Sequence, residues 1–225
     1  MARIVDRNLE SLRETALRMG SLSEAILAKS MRSLTSRDVA LCAEVQHDDL
    51  EIDRLDIAID DAVLEILATQ SPVASDLRFV LSTKAVATDL ERVGDLARNI
   101  AKSARRLAEI APVEIPPKLG TLASEAQRLL RKALDSYADT DPIRARRVLE
   151  QDDRIDESEE RVIRDAIAEI TAHPEFSAQE VELILIAKNL ERVADHATNI
   201  AEDVILTAES LNVKHSEKLA AADTI

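Results

Sequence analysis

The stretch DLERVGDLARNIA at residues 89–101 returns as NLERVADHATNIA at residues 189–201, with nine of thirteen positions identical at an offset of one hundred. The chain therefore reads as a duplicated unit. Both copies contain Leu-Glu-Arg-Val, an Asp four residues after the Glu, and an Asn four residues after that Asp. On a helix of 3.6 residues per turn, Glu91, Asp95 and Asn99 form one stripe, and Glu191, Asp195 and Asn199 form its counterpart. A duplication with only a core to preserve needs its apolar residues alone. Here the hydrophilic stripe is kept as well, which points to a chemical task.

A second acidic pair precedes each copy: Asp49 and Asp53 in DDLEID, and Asp152 and Asp156 in DDRID. Asp49–Asp53 stands about as far before the Ser71-Pro72 break as Glu91–Asp95 stands after it. The same holds for Asp152–Asp156 and Glu191–Asp195 about His173-Pro174. In an antiparallel hairpin, equal distance from the turn means equal height, so each half is expected to gather four carboxylates across a two-helix groove. Carboxylates at one level repel each other unless a cation neutralises them, and oxygen-rich clusters suit hard cations such as Mg²⁺, Ca²⁺, Mn²⁺ or iron. With Val93 at the centre of the apolar face, Glu91 and Asp95 fall nearly opposite, so the stripe is expected to be exposed. A plainer reading stands beside this one: Lys84, Arg92, Arg98 and Lys102 share the helix and supply ion-pair partners for a merely solvated face.

Composition sets the class. Three Gly, six Pro, 1% aromatic and 46% hydrophobic residues describe long helices and disfavour sheets. Against 29 Lys and Arg stand 43 Asp and Glu, a formal net charge of -14, which repels nucleic acid and anionic membranes and attracts cations or basic protein surfaces. The single Cys42 allows no internal disulfide, the first residues carry no apolar signal segment, and no apolar run is long enough to span a bilayer. These features predict a cytoplasmic protein.

Hydrophobic periodicity predicts six helices: about residues 5–34, 37–69, 74–110, 119–137, 142–172 and 177–211. Thr35-Ser36, Asp141 and Ser177 are the expected N-caps, with Pro142 at the first helical position. The three prolines of APVEIPPK, residues 111–118, mark the boundary between halves. The expected architecture is all-α, two tandem antiparallel three-helix bundles: residues 1–112, residues 113–211, and a polar tail, 212–225.

Other candidates are weaker. Glu44 and His47 form an ExxH without the second such pair that a ferritin-like di-iron centre needs. His196 has Leu96 as its equivalent in the first copy, which favours a structural role. There is no phosphate-binding Gly loop, no GxSxG and no CxxC, so the chain lacks an obvious nucleophile and is not expected to be an enzyme.

The doubled LERV(G/A)DxAxNIA block, the acidic pair before each hairpin and SPVASDLR at residues 71–78 resemble the PhoU family over nearly the whole chain. That resemblance implies two three-helix bundles, frequently as a homodimer. It also implies negative regulation of phosphate uptake and of the phosphate-starvation response, by coupling the Pst ABC transporter, through its ATPase subunit, to a PhoR-type sensor histidine kinase. Some members bind metal clusters through E/D-xxx-D motifs. Carried onto this chain, those motifs fall on Asp49, Asp53, Glu91, Asp95, Asp152, Asp156, Glu191 and Asp195, with Asn99 and Asn199 as additional donors, for divalent or ferric ions, zinc included. The second half has EFSAQEVE in place of the SPVASDLR turn, so the halves need not dock alike. The alternative from another class is a carboxylate-cluster metal protein with storage, hydrolytic or oxidase activity.

Overall fold

The computed structural model describes residues 4–214, and among these the chain forms α-helices and one 3-10 turn, with no strand. The order is α1 (Ile4–Ser36), α2 (Val39–Gln70), α3 (Ser75–Glu109), α4 (Pro117–Asp139), α5 (Pro142–Leu149), α6 (Asp152–Ala172), the 3-10 turn Pro174–Phe176, and α7 (Ser177–Glu209). The first three helices make one antiparallel bundle and α4 to α7 make the other. Most of the expected polar tail, residues 215–225, and the first three residues lie outside the described part.

Two differences from the sequence reading have local causes. Helix α1 continues through Thr35 and Ser36, whose hydroxyls donate back to the carbonyls of Met31 and Arg32, so they cap nothing ahead. Arg37 turns into the left-handed region at φ 52°, and Asp38 becomes the cap of α2, accepting from the amides of Ala40 and Leu41. Likewise Phe176, not Ser177, stands at the N-cap position of α7. Asp141 does cap its helix, through the amides of Ile143 and Arg144.

The second difference is a break. The expected fifth helix divides at Glu150 and Gln151, with neither Gly nor Pro to mark it. The sequence there is dense in carboxylates, and Asp152 and Asp153 gain by standing in the first turn of a new helix, where the unpaired amides favour negative charge. The residues that end helices in left-handed geometry are Arg37, Ser71, Thr140 and Ser210, none of them glycine.

The two bundles pack side by side through α3 against α7 and α1 against α4. Helix α3 is thus covered by α1, α2 and α7, while α7 is covered by α3, α4, α5 and α6. Alanines suit such crowded helices: Ala87, Ala97 and Ala101 in α3 and Ala187, Ala197 and Ala201 in α7 are fully buried. Polar bonds fix the register between halves. Tyr137 and Thr83 share a buried hydroxyl bond of 2.9 Å, and burial pushes the Tyr137 phenol up to about 12. Asp89 of α3 meets His196 Nδ1 at 2.8 Å and accepts from Asn199 Nδ2 at 3.2 Å, both on α7.

At position 20 glycine serves for close approach rather than for a turn. A Cβ on Gly20 of α1 would lie 2.6 Å from Leu134 Cδ2 of α4, too near for the present packing. Gly20→Ala gains about 1 kcal/mol of helix propensity and loses about 1–3 kcal/mol to overpacking. The expected outcome in urea unfolding is a net loss of stability in the natural background. The same change is expected to be neutral or stabilising once Leu134→Ala has opened the space.

Candidate functional site

The hairpins bring the acidic pairs together as their equal distances from the turns predict. In the first bundle Asp49 and Asp53 of α2 face Glu91 and Asp95 of α3, close enough for Asp53 and Asp95 each to raise the Asp49 carboxyl. In the second, Asp152 and Asp156 of α6 face Glu191 and Asp195 of α7, close enough for Asp156 and Asp195 to add to burial in raising both Asp152 and Glu191. Each cluster lies in the groove between an outer helix, α2 or α6, and a central one, α3 or α7.

The stripe is less exposed than helical geometry on one element implies. The apolar face centred on Val93 meets α1 and α7, and the opposite side of α3 meets α2, so Glu91 and Asp95 are half-buried at 26% and 28% side-chain exposure. Asp49 is buried outright, at 1% exposure. Asp156 and Asp195 are exposed, while Asp53, Asp152 and Glu191 are intermediate.

The stripe's asparagines do not join the clusters. Asn199 is engaged with Asp89 across the interface between halves, and Asn99 is exposed beside Lys102. His196 shares the structural role on Asp89, and Glu44 of the ExxH pairs with Lys29.

Counter-charges divide the two clusters. In the first, Arg98 extends from α3 into the groove: its Nη1 meets Asp49 Oδ2 at 2.5 Å and its Nη2 donates to Asp95 Oδ1. Arg92 adds contacts of 3.5 Å to Glu91 and Asp95. Lys84 reaches Asp56 and Asp60 of α2, one turn further along. The ion-paired reading is thus realised in this half. Burial nevertheless outweighs Arg98 and holds the Asp49 carboxyl above its ordinary value, and burial together with Asp95 does the same to Glu91.

In the second half Thr198 occupies the position of Arg98, and its hydroxyl donates to the backbone carbonyl of Asp195. No guanidinium enters the groove from there. Lys188, whose charge opposes the rise of Glu191, forms its ion pair with Glu159 at 2.7 Å. The Asp152 Oδ1 is buried without a hydrogen-bond partner. Burial, then the charges of Asp156 and Asp195, push Asp152 up to about 6; burial, then Asp195 and Glu159, push Glu191 up to about 7.

The chemistry of the donor sets follows. Among the described residues no three His, Cys, Asp or Glu side chains stand ready-gathered for a metal ion, so a cation would have to draw the carboxylates inward. The second cluster suits a hard cation, because its elevated acids and the orphaned Asp152 oxygen are what positive charge would relieve. The first does not suit one as it stands, since Arg98 already spans it. Two grooves lie away from the clusters: one of 260 Å³ between α1 and α4, bordered by Glu24, Leu27 and Arg131, and one of 330 Å³ under the interdomain loop at Leu34, Leu107 and Ile115. Among the described residues no helix is long and apolar enough to cross a membrane.

Known proteins match this chain in both halves. The PhoU domain model matches residues 16–104 and 119–204. The "phosphate-specific transport system accessory protein PhoU homolog" of Rhizobium meliloti is 36% identical over 207 residues, covering 90% of this chain and 86% of that protein. Its counterpart in Pseudomonas aeruginosa is 32% identical over 210 residues, covering 92% and 86%. The crystal structure of PhoU from Pseudomonas aeruginosa superposes with a TM-score of 0.89 at 30% identity, over 92% of this chain and 99% of that one. The phosphate transport system regulatory protein PhoU from Streptococcus pneumoniae gives 0.87 at 25% identity, over 93% and 99%. With the doubled block, the tandem helical bundles and both domain matches in agreement, this chain belongs to the PhoU family.

Proposed function

We propose that this protein is a cytoplasmic regulator, not a catalyst. It restrains phosphate uptake and the phosphate-starvation response by linking a phosphate-specific ABC transporter, through its ATPase subunit, to a PhoR-type sensor kinase. The carrying observation is that relatives named as accessory proteins of the phosphate-specific transport system align with nine-tenths of the chain, both repeats included. The physical character of the surface supports it. A chain of net charge -14 with acidic pairs along the α2–α3 and α6–α7 grooves is suited to basic protein surfaces and cations. Assembly as a homodimer belongs to the same reading.

Within this function the second cluster is the cation site. Asp152, Asp156, Glu191 and Asp195 would hold a divalent or ferric ion, which when bound supplies the positive charge that the groove between α6 and α7 otherwise lacks at Thr198. The protein's own contribution is to present four carboxylates at one height and to keep two of them partly desolvated. In that role the ion is structural and electrostatic: it fixes the α6–α7 groove and reduces the negative charge shown to a partner.

Deleting the gene is expected to derepress phosphate uptake or starvation genes in phosphate-replete cells that carry no second family member; repression that persists in such cells sinks the regulatory assignment and leaves the metal-protein alternative in front. A pH series tests the cation site. Asp152 and Glu191 have raised values in the folded chain, so the folded state holds more protons than the unfolded one between their ordinary and raised values. Their contribution to stability is therefore full below the ordinary carboxylate range and is lost as pH rises through about 6 to 7. Metal-free protein is expected to lose thermal stability over that window, with Asp152→Asn plus Glu191→Gln flattening the loss. Since protons and cation compete for the same oxygens, Mn²⁺ affinity measured by calorimetry is expected to rise over the same window.

A further inference from the structure

The duplication provides an internal comparison, because α3 and α7 carry the same Glu and Asp and differ in what lies around them. Three differences coincide at one height. Position 94 is glycine, whereas its counterpart is Ala194. A Cβ at 94 would stand 2.8 Å from Asp49 Oδ1, so the missing methyl is what lets the Asp49 carboxylate nest against α3. Asp49 is accordingly buried at 1% exposure, whereas Asp152 is only partly covered. One turn on, position 98 is arginine, whereas its counterpart is Thr198. Arg98 bridges α2 to its own helix through Asp49 and Asp95, and its Nε is buried with no acceptor. An arginine that gives up a donor to reach this position is fixed by its two carboxylates.

We propose that Arg98 is a built-in counter-cation: it takes, in the first cluster, the place that a metal ion takes in the second. This rests on the cation reading of the second cluster and narrows to that cluster the metal role that the motif implies for both. A divalent ion drawn to Glu91 and Asp95 would meet the guanidinium between Asp95 and Asp49, and like charges at that separation in a partly desolvated groove repel strongly. Displacing Arg98 would in turn leave Asp49 charged, buried and without its partner. The fixed charge makes the α2–α3 groove indifferent to metal supply, while the α6–α7 groove responds to it. One chain thus carries a metal-independent half and a metal-dependent half, and only the second can report a cation.

The test is titration of metal-stripped full-length protein with Mn²⁺ at neutral pH, by calorimetry and by the shift in melting temperature. The natural protein is expected to bind one equivalent, abolished by Asp152→Asn plus Glu191→Gln and unaffected by Glu91→Gln. Arg98→Thr, which copies the second repeat, is expected to gain a second equivalent, weakened on the order of tenfold or more by adding Asp95→Asn. Arg98→Gln, which preserves a hydrogen bond to Asp49 without the charge, is expected to gain the same equivalent and serves if the threonine variant does not fold. Two results overturn the proposal: a natural first cluster that binds Mn²⁺ after the second is disabled, or folded arginine variants that gain none. A natural protein binding no Mn²⁺, combined with a new site in Arg98→Thr, refutes the second-cluster reading and leaves Arg98 as counter-cation.

Discussion

Coverage of α3 and α7 on several sides at once is the constraint from which the rest follows. A helix with three or four neighbours has little surface left for polar residues, and what remains must be small or apolar to let those neighbours approach. The buried alanines of the doubled block meet that demand. The acidic strip of such a helix falls in the groove against its outermost companion, α2 or α6. The acidic stripe is therefore partly desolvated by necessity. A solvated face of the same sequence on a lone helix would leave these carboxylates near their ordinary values; here burial is the largest influence on Asp49, Glu91, Asp152 and Glu191 alike.

Given that shared predicament, the halves answer it differently. Arg98 meets it within the first bundle through ion pairs to Asp49 and Asp95, at the expense of an unsatisfied nitrogen and a glycine in mid-helix. The second bundle has Thr198 in place of the arginine, and its hydroxyl turns back to the backbone carbonyl of Asp195. Duplicated units that differ in this way give a regulator a fixed frame and a variable part without the need for two folds.

Much of this was legible in the residues. The thirteen-residue repeat, the proline-rich boundary and equal spacing about Ser71-Pro72 and His173-Pro174 led to all-α tandem bundles and to carboxylates at one level. Three features escaped because hydrophobic periodicity does not carry them. The side of α3 opposite Val93 looks solvent-facing on that helix alone, and only its packing against α2 half-buries Glu91 and Asp95. The break at Glu150 and Gln151 follows from charge density and helix-end electrostatics rather than from a breaker residue. Asn199 stands in stripe register yet turns to Asp89, a partner 110 residues away that no periodicity reveals. Arg98 was visible as a possible ion-pair partner, but its choice of Asp49 depends on the methyl missing at Gly94.

The break that begins α6 at Asp152 bears on how long an ion would stay. Asp49 sits within the continuous α2, whereas Asp152 opens a helix whose free amides carry partial positive charge. A cation held by Asp152 is pulled by four carboxylates and pushed by the end of the helix that presents one of them. Such opposition favours shallow binding and quick release over deep sequestration. A groove of that kind tracks the free concentration of its ion from moment to moment, as a gauge does, where a fully embracing cage would only accumulate it.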